Sequence, residues 1–136
     1  MTVTEAVQAV LVADAPVLAL CPAVRIRVPG RWEGLARPYI IHFPVALENI
    51  RTHSEGLAAM RIWDSYQVSI FADAMSEAET LAYAVRTALD GVTAAGVSIF
   101  WTGWLYNFEW EEGAPESQSA GGTHHIALDF QIAEAL

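Results

Sequence analysis

From Val97 to Trp110 the chain reads VSIFWTGWLYNFEW, with large apolar side chains at both odd and even positions. Few local structures accommodate that pattern. A helix would need apolar residues every three or four positions, whereas a strand sends successive side chains to opposite faces of a sheet. Read as a strand, the odd positions give Val97, Ile99, Trp101 and Leu105, and the even positions give Phe100, Trp104, Tyr106, Phe108 and Trp110. If helices cover one face, the other set stands in water. An apolar patch beyond a few hundred Å² usually marks an interface, and each aromatic buries about 150–250 Å² when covered. The even set is therefore expected to meet another molecule. Two local alternatives stay open: a bulge at Gly103 that flips the register, or the 110–123 loop folding back over the patch.

The remaining elements follow from caps, periodicity and breakers. Thr2 with Glu5 forms a capping box ahead of Val7, Val10 and Leu11, which predicts a helix over about 4–13. Asp14-Ala15-Pro16 ends it and opens a short second turn through Leu18 and Leu20. Val24 to Val28 alternates as a strand and Pro29-Gly30 breaks it. Pro38 to Val45 is a second strand, at an edge or frayed because prolines flank it. Residues 46–59 read as a polar loop. The strand over about 60–72 places Ile62, Tyr66, Val68 and Ile70 on one face. Ser76 with Glu79 is a second capping box, opening a helix over about 76–90 that Gly91 stops. After the aromatic strand come a Gly/Ser-containing loop, 113–122, and a strand over 124–133 with Ile126, Leu128, Phe130 and Ile132 on one face. The order predicts an α+β fold: a largely antiparallel sheet with two main helices packed on one face.

At 136 residues the chain is expected to be one domain, 1–136. Its apolar share of 54% and charged share of 17% leave hydrophobic surface to spare, against about 45–50% and about 25% in ordinary soluble domains. The net charge of −9 is unevenly spread. Residues 25–61 hold six of the seven Arg against three Glu, while residues 62–136 hold only Arg86 against eleven acids. That asymmetry suits head-to-tail contact between copies, and equally suits a solvated acidic surface. Without Lys or a dense Arg stretch, specific nucleic-acid binding is disfavoured.

No chemistry finds a carrier. Cys21 is alone, so a disulfide framework within the chain is excluded and a reducing compartment is expected. Leu18 to Cys21 reads as helix and turn rather than a lipoprotein signal, because no Lys or Arg precedes it. No run of about 18 apolar residues is present, so no membrane partner is expected. Adjacent His124 and His125 point to opposite faces of a strand, and His42 and His53 lie elsewhere, so no metal site is expected. There is no Gly-x-Ser-x-Gly, no phosphate-cradling glycine motif and no Schiff-base lysine, and Glu109, Glu111 and Glu112 read as a solvated edge. No catalytic, cofactor-binding or metal residues are assigned. Candidate contact residues are Arg51, His53, Phe100, Trp104, Tyr106, Phe108, Trp110, Glu111 and Glu112.

Placed end to end, these elements resemble a known family. The order comprises Leu11-Val12-Ala13-Asp14 closing a helix, Arg37-Pro38-Tyr39-Ile40-Ile41 entering a strand, and Tyr66 to Asp73 leading into the helix from Ala78 to Gly91. Ile126 to Phe130 then sits in the last strand. The whole is similar to the tail-completion proteins of long-tailed bacteriophages, prophages and phage-derived particles, whose fold is like that of the lambda-type tail terminators. The segment 66–91 is the most specific part. The resemblance implies a structural virion protein of the tail or neck, with no enzymatic activity and no cofactor, assembled in the bacterial host cytoplasm. Its implied partners are its own copies in a ring of six, the tail tube protein, the head-tail connector protein, and DNA passing through the lumen without specific binding. The ring would end tube polymerisation and join tail to head. An alternative from another class is a small cytoplasmic dimeric α+β domain that binds a ligand or acts as an enzyme.

Overall fold

The computed structural model describes residues 2–30, 36–51, 60–94, 96–110 and 122–135, with the side chains of 47–51, 60, 109, 110 and 135 left aside. Helix α1, Val3–Ala13, opens with the expected capping box: Glu5 N–H donates to Thr2 Oγ1 at 3.1 Å, and Thr2 N–H donates to the Glu5 carboxylate at 2.8 Å. Asp14 then caps α2, Ala15–Leu20, by accepting from Val17 N–H. The strand expected over 24–28 shrinks to β1, Ile26–Arg27, because a 3-10 turn occupies Ala23–Arg25 and Pro29 follows closely.

Strand β2, Tyr39–Arg51, runs further than the sequence indicated. Its residues 46–51 pair with β3, Met60–Ala72, through a series of register shifts, so half of the expected polar loop is irregular strand. The other half, 52–59, lies outside the described residues. Helix α3, Met75–Leu89, starts two residues earlier than the second capping box requires. Ala74 is its N-cap and no side chain caps it. Ser76 instead lies inside the first turn, where its carbonyl accepts from Thr80 Oγ1. Gly91, at φ +80, ends the helix in the left-handed region, as its position predicts. A short strand that the sequence did not signal, β4 at Thr93–Ala94, leads into β5, Val97–Trp110, and the chain closes with β6, Gly122–Ala135.

The six strands lie in the order β1-β2-β3-β6-β5-β4, antiparallel except for β1 with β2. The fold is α+β as expected, with two main helices, α1 and α3, and the short α2 where the second turn was placed. Helix α3 packs on β3, β5 and β6, α1 packs on β1 and β2, and α2 lies on both of these helices. The core lies between: Leu11, Val17, Leu81 and Val85 meet Tyr66, Val68, Ile70, Ile126, Leu128, Phe130 and Ile132, all buried. The last four are the set predicted for β6. In β3 a register shift between Trp63 and Tyr66 breaks the expected face. Trp63, paired with Ile132, therefore joins the helix side, while Ile62, paired with Ala133, turns away from it.

The opposite face has its own packing. Phe71 stacks between Tyr39 and His125 at centroid distances of 4.8 and 4.3 Å, across three strands. A hollow of about 330 Å³ beside this stack is lined by Ile41, Phe43, Gln67, Ser69 and His125.

Candidate assembly surface

Strand β5 is joined to β6 along its length but to β4 only at Val97 and Ser98. Past that point its outer edge is closed piecemeal. Ile99 N–H donates to Val92 O at 2.9 Å, Ile99 O accepts from Gly91 N–H at 2.8 Å, and Trp101 N–H donates to Asp90 Oδ1 at 2.9 Å. Beyond Trp101, no strand among the described residues pairs with that edge. A long strand that exposes apolar side chains beside its edge invites another chain.

The even-numbered aromatics do not share a face. Trp101 pairs with Phe130 and Gly103 with Asp129, so β5 carries one extra residue at Thr102 and the alternation reverses there. Phe100, opposite Gln131, stands on the face without helices and is 50% exposed. Trp104, Tyr106 and Phe108, opposite Leu128, Ile126 and His124, stand on the helix side. Leu105, grouped by parity with the core residues, is instead 69% exposed. The signal was present in Gly103, since a glycine inside a strand pattern marks a bulge.

The bulge brings together side chains that parity kept apart. Trp104 is half-buried against the Tyr83 ring of α3 at 5.2 Å, and Tyr83 itself is 55% exposed. The Arg86 guanidinium lies 3.9 Å over the Trp101 ring, a cation–π contact. These four side chains line a hollow of about 280 Å³, and Trp101 Nε1 is buried there without an acceptor among the described residues. Trp, Tyr and Arg are the residues that most often anchor protein interfaces. Further along, the Tyr106 hydroxyl lies 2.7 Å from His124 Nδ1, and the His124 ring lies 4.7 Å from that of Phe108. Tyr83 and Arg86 were missed in sequence because helix periodicity alone cannot say which strand a face will meet.

The other candidates scatter. Arg51 ends β2 beside Met60, at the end of the sheet opposite Trp110, which pairs with Gly122. The side chains of Arg51 and Trp110 are not described, and His53, Glu111 and Glu112 lie outside the described residues.

On the far side of the sheet, β1 borders an open groove of about 600 Å³ lined by Thr4, Gln8, Ile26, Arg27 and Val28. Val24 and Val28 are exposed beside it. Behind the groove lies a buried polar chain. Tyr66 O–H faces His42 Nδ1 at 2.7 Å, His42 Nε2 lies 2.6 Å from Gln8 Oε1, and Gln8 Nε2 donates to Ile26 O at 2.9 Å. Because Gln8 Oε1 can only accept, Nε2 of His42 carries the proton and Nδ1 accepts from Tyr66. Burial pulls the His42 pKa down to about 4 and pushes the Tyr66 phenol above its usual value. Cys21 is buried too. Burial lifts its thiol to about 11 against a smaller lowering by Arg25.

Among the described residues no three His, Cys, Asp or Glu side chains are placed to hold a metal ion, and no helix is long and apolar enough to cross a membrane. His124 and His125 alternate, facing Phe108 and Phe71 respectively.

No curated protein sequence matches this chain. Among solved structures, a chain of the virion of a native gene transfer agent particle matches with TM-score 0.72 at 23% identity. The match covers 98% of this chain and 95% of that one, and it is a likeness of fold. The family described as tail completion protein gp17 matches residues 5–134. An α+β sheet with one helix-covered face and a family match over nearly its whole length place this chain in that phage tail-completion family.

Proposed function

We propose that copies of this chain close into a ring, of six subunits, at the head-proximal end of the tail tube. There the ring ends tube polymerisation and joins the tail to the head-side connector. Its role is structural rather than catalytic. The observation that carries this reading is the tail-completion family match over residues 5–134 of a chain that exposes Tyr83, Phe100, Leu105 and Tyr106 at its β5 flank. A ring closes when each copy offers two different complementary surfaces whose rotation returns to the start. One rim would match the last tube ring; the other would lack the tube's own addition surface, so growth stops. The net charge of −9 suits a lumen that repels phosphate and lets DNA pass.

The purified protein tests the reading directly. Sedimentation and electron microscopy are expected to give annular particles of about six copies, and their addition to growing tubes is expected to arrest tube length. Strict monomers at high concentration, or closed dimers around a ligand pocket, would overturn it.

A further inference from the structure

Buried hydrogen-bond donors without acceptors are rare in folded chains, and one of them stands beside α3. Trp101 Nε1 is buried with no acceptor among the described residues. The Arg86 guanidinium lies over the same indole ring, and among the described residues no ion pair or hydrogen bond reaches it either. Tyr83 and Trp104 complete the walls of a hollow of about 280 Å³, which has room for a glutamate side chain. Asp90 does not meet the need. It lies one turn beyond Arg86 on the helix side, but its carboxylate accepts from the Trp101 backbone N–H and makes no ion pair with Arg86. This surface is therefore not cationic as a whole; what it lacks is an acceptor inside the hollow.

A carboxylate suits both donors, and the chain's own acids narrow the choice. Among the described residues Glu5 and Asp14 cap helices, Asp73 and Glu134 pair with Arg37 and Arg61, and Asp64, Asp90 and Asp129 accept hydrogen bonds. Glu77 and Glu79 have no such partner there. Glu79 is half-buried and lies about two turns before Arg86, on the same side of α3. Glu77 is exposed and stands about two and a half turns from Arg86, on the opposite side of the helix and about 14 Å away along its axis. Glu77 and Arg86 cannot meet within one chain. They look outward from different sides of it, as a head-to-tail contact requires.

We propose that Glu77 of one copy enters the hollow of the next, where its carboxylate accepts from Trp101 Nε1 and from the Arg86 guanidinium. The inference rests on the ring reading above and names the residues that meet at each junction. The indole and phenol walls exclude water from the pair, so it holds the contact more firmly than an ion pair in open solvent.

Charge reversal tests the junction, with Glu77→Arg and Arg86→Glu made separately. Each variant alone sets like charges together at every contact. Each is expected to need at least about tenfold more protein than the parent to assemble, by sedimentation. Mixed in equal amounts they are expected to recover rings in which the two variants alternate, because every contact then joins opposite charges. Rings from either variant alone at the parent's concentration would overturn the inference while leaving the ring standing, as would a mixture that stays monomeric. Thermal unfolding of the separate monomers checks that both fold. Should Arg86→Glu fail that check, Glu77→Arg decides alone, since its side chain stands in solvent in the single copy. A parent protein that never assembles would remove the ring reading itself, and this junction with it.

Discussion

Thr102 donates its hydroxyl to the backbone carbonyl of Asp129 at 3.0 Å, at the point where β5 carries one residue more than β6. The Asp129 carboxylate also reaches both neighbouring strands. Its Oδ2 accepts from Thr102 Oγ1 at 3.2 Å and its Oδ1 from Ser65 Oγ at 2.5 Å, and Ser65 lies in the register shift of β3. One carboxylate thus holds the two irregularities that decide which face each flanking strand shows. Hydrogen bonds to a charged group contribute about 1.5–3 kcal/mol, less when partly exposed. Asp129→Ala is therefore expected to cost about 1–2 kcal/mol in urea unfolding. An unchanged midpoint would show that strand pairing alone fixes both bulges.

Acid should loosen the α1–β2 junction before the carboxylates titrate. His42 is fully buried with a pKa near 4, below the ordinary 6.5, because burial strips water from the charged ring, which lies between Tyr66 and Gln8. The unfolded chain takes up the proton first, so stability is full above pH 6.5 and falls as pH drops from there toward 4. The slope expected from this one group is about 1.4 kcal/mol per pH unit. Denaturant midpoints at several pH values should show that slope in the parent and a shallower one in His42→Gln.

Cys21 should be silent toward thiol reagents in the folded protein. Its side chain is buried and its pKa stands near 11 rather than 9.0, so at pH 8 the reactive thiolate is roughly a hundredfold scarcer. Labelling with an aromatic disulfide reagent is expected to be complete in denaturant and slower by at least that factor without it. Fast native labelling would mean that the α2–β1 turn opens readily.

Tyr83 separates folding from assembly. It is exposed on α3 and rests on Trp104 at the β5 flank. Removing such a side chain from a monomer surface usually changes stability by no more than about 0.5 kcal/mol. At concentrations low enough that both are monomers, Tyr83→Ser is expected to keep the parent's unfolding midpoint; at higher concentration it is expected to shift the assembly toward monomer in sedimentation. Rings that persist at every concentration would take Tyr83 out of the contact.

Helices α1 and α3, the buried face of β6 and the extended character of 97–110 were all legible in the residues. Capping at Thr2 and Glu5, the left-handed stop at Gly91 and alternation at Ile126 to Ile132 act over a few positions, and their physics is complete within that span. The family resemblance was legible for the same reason, because it rests on the order of such elements. Three-dimensional pairing decided the rest. Whether Phe100 and Trp104 share a face depends on one residue of slippage against β6, and the residue that bonds the extra Thr102, Asp129, lies 27 positions after it. Likewise, residues 46–51 look like loop until β3 supplies their hydrogen-bonding partners. A strand's faces and edges are properties of its neighbours, so no local pattern could say which side chains of β5 stand exposed; that followed from its pairing with β6 along its length and, among the described residues, with β4 only at Val97 and Ser98.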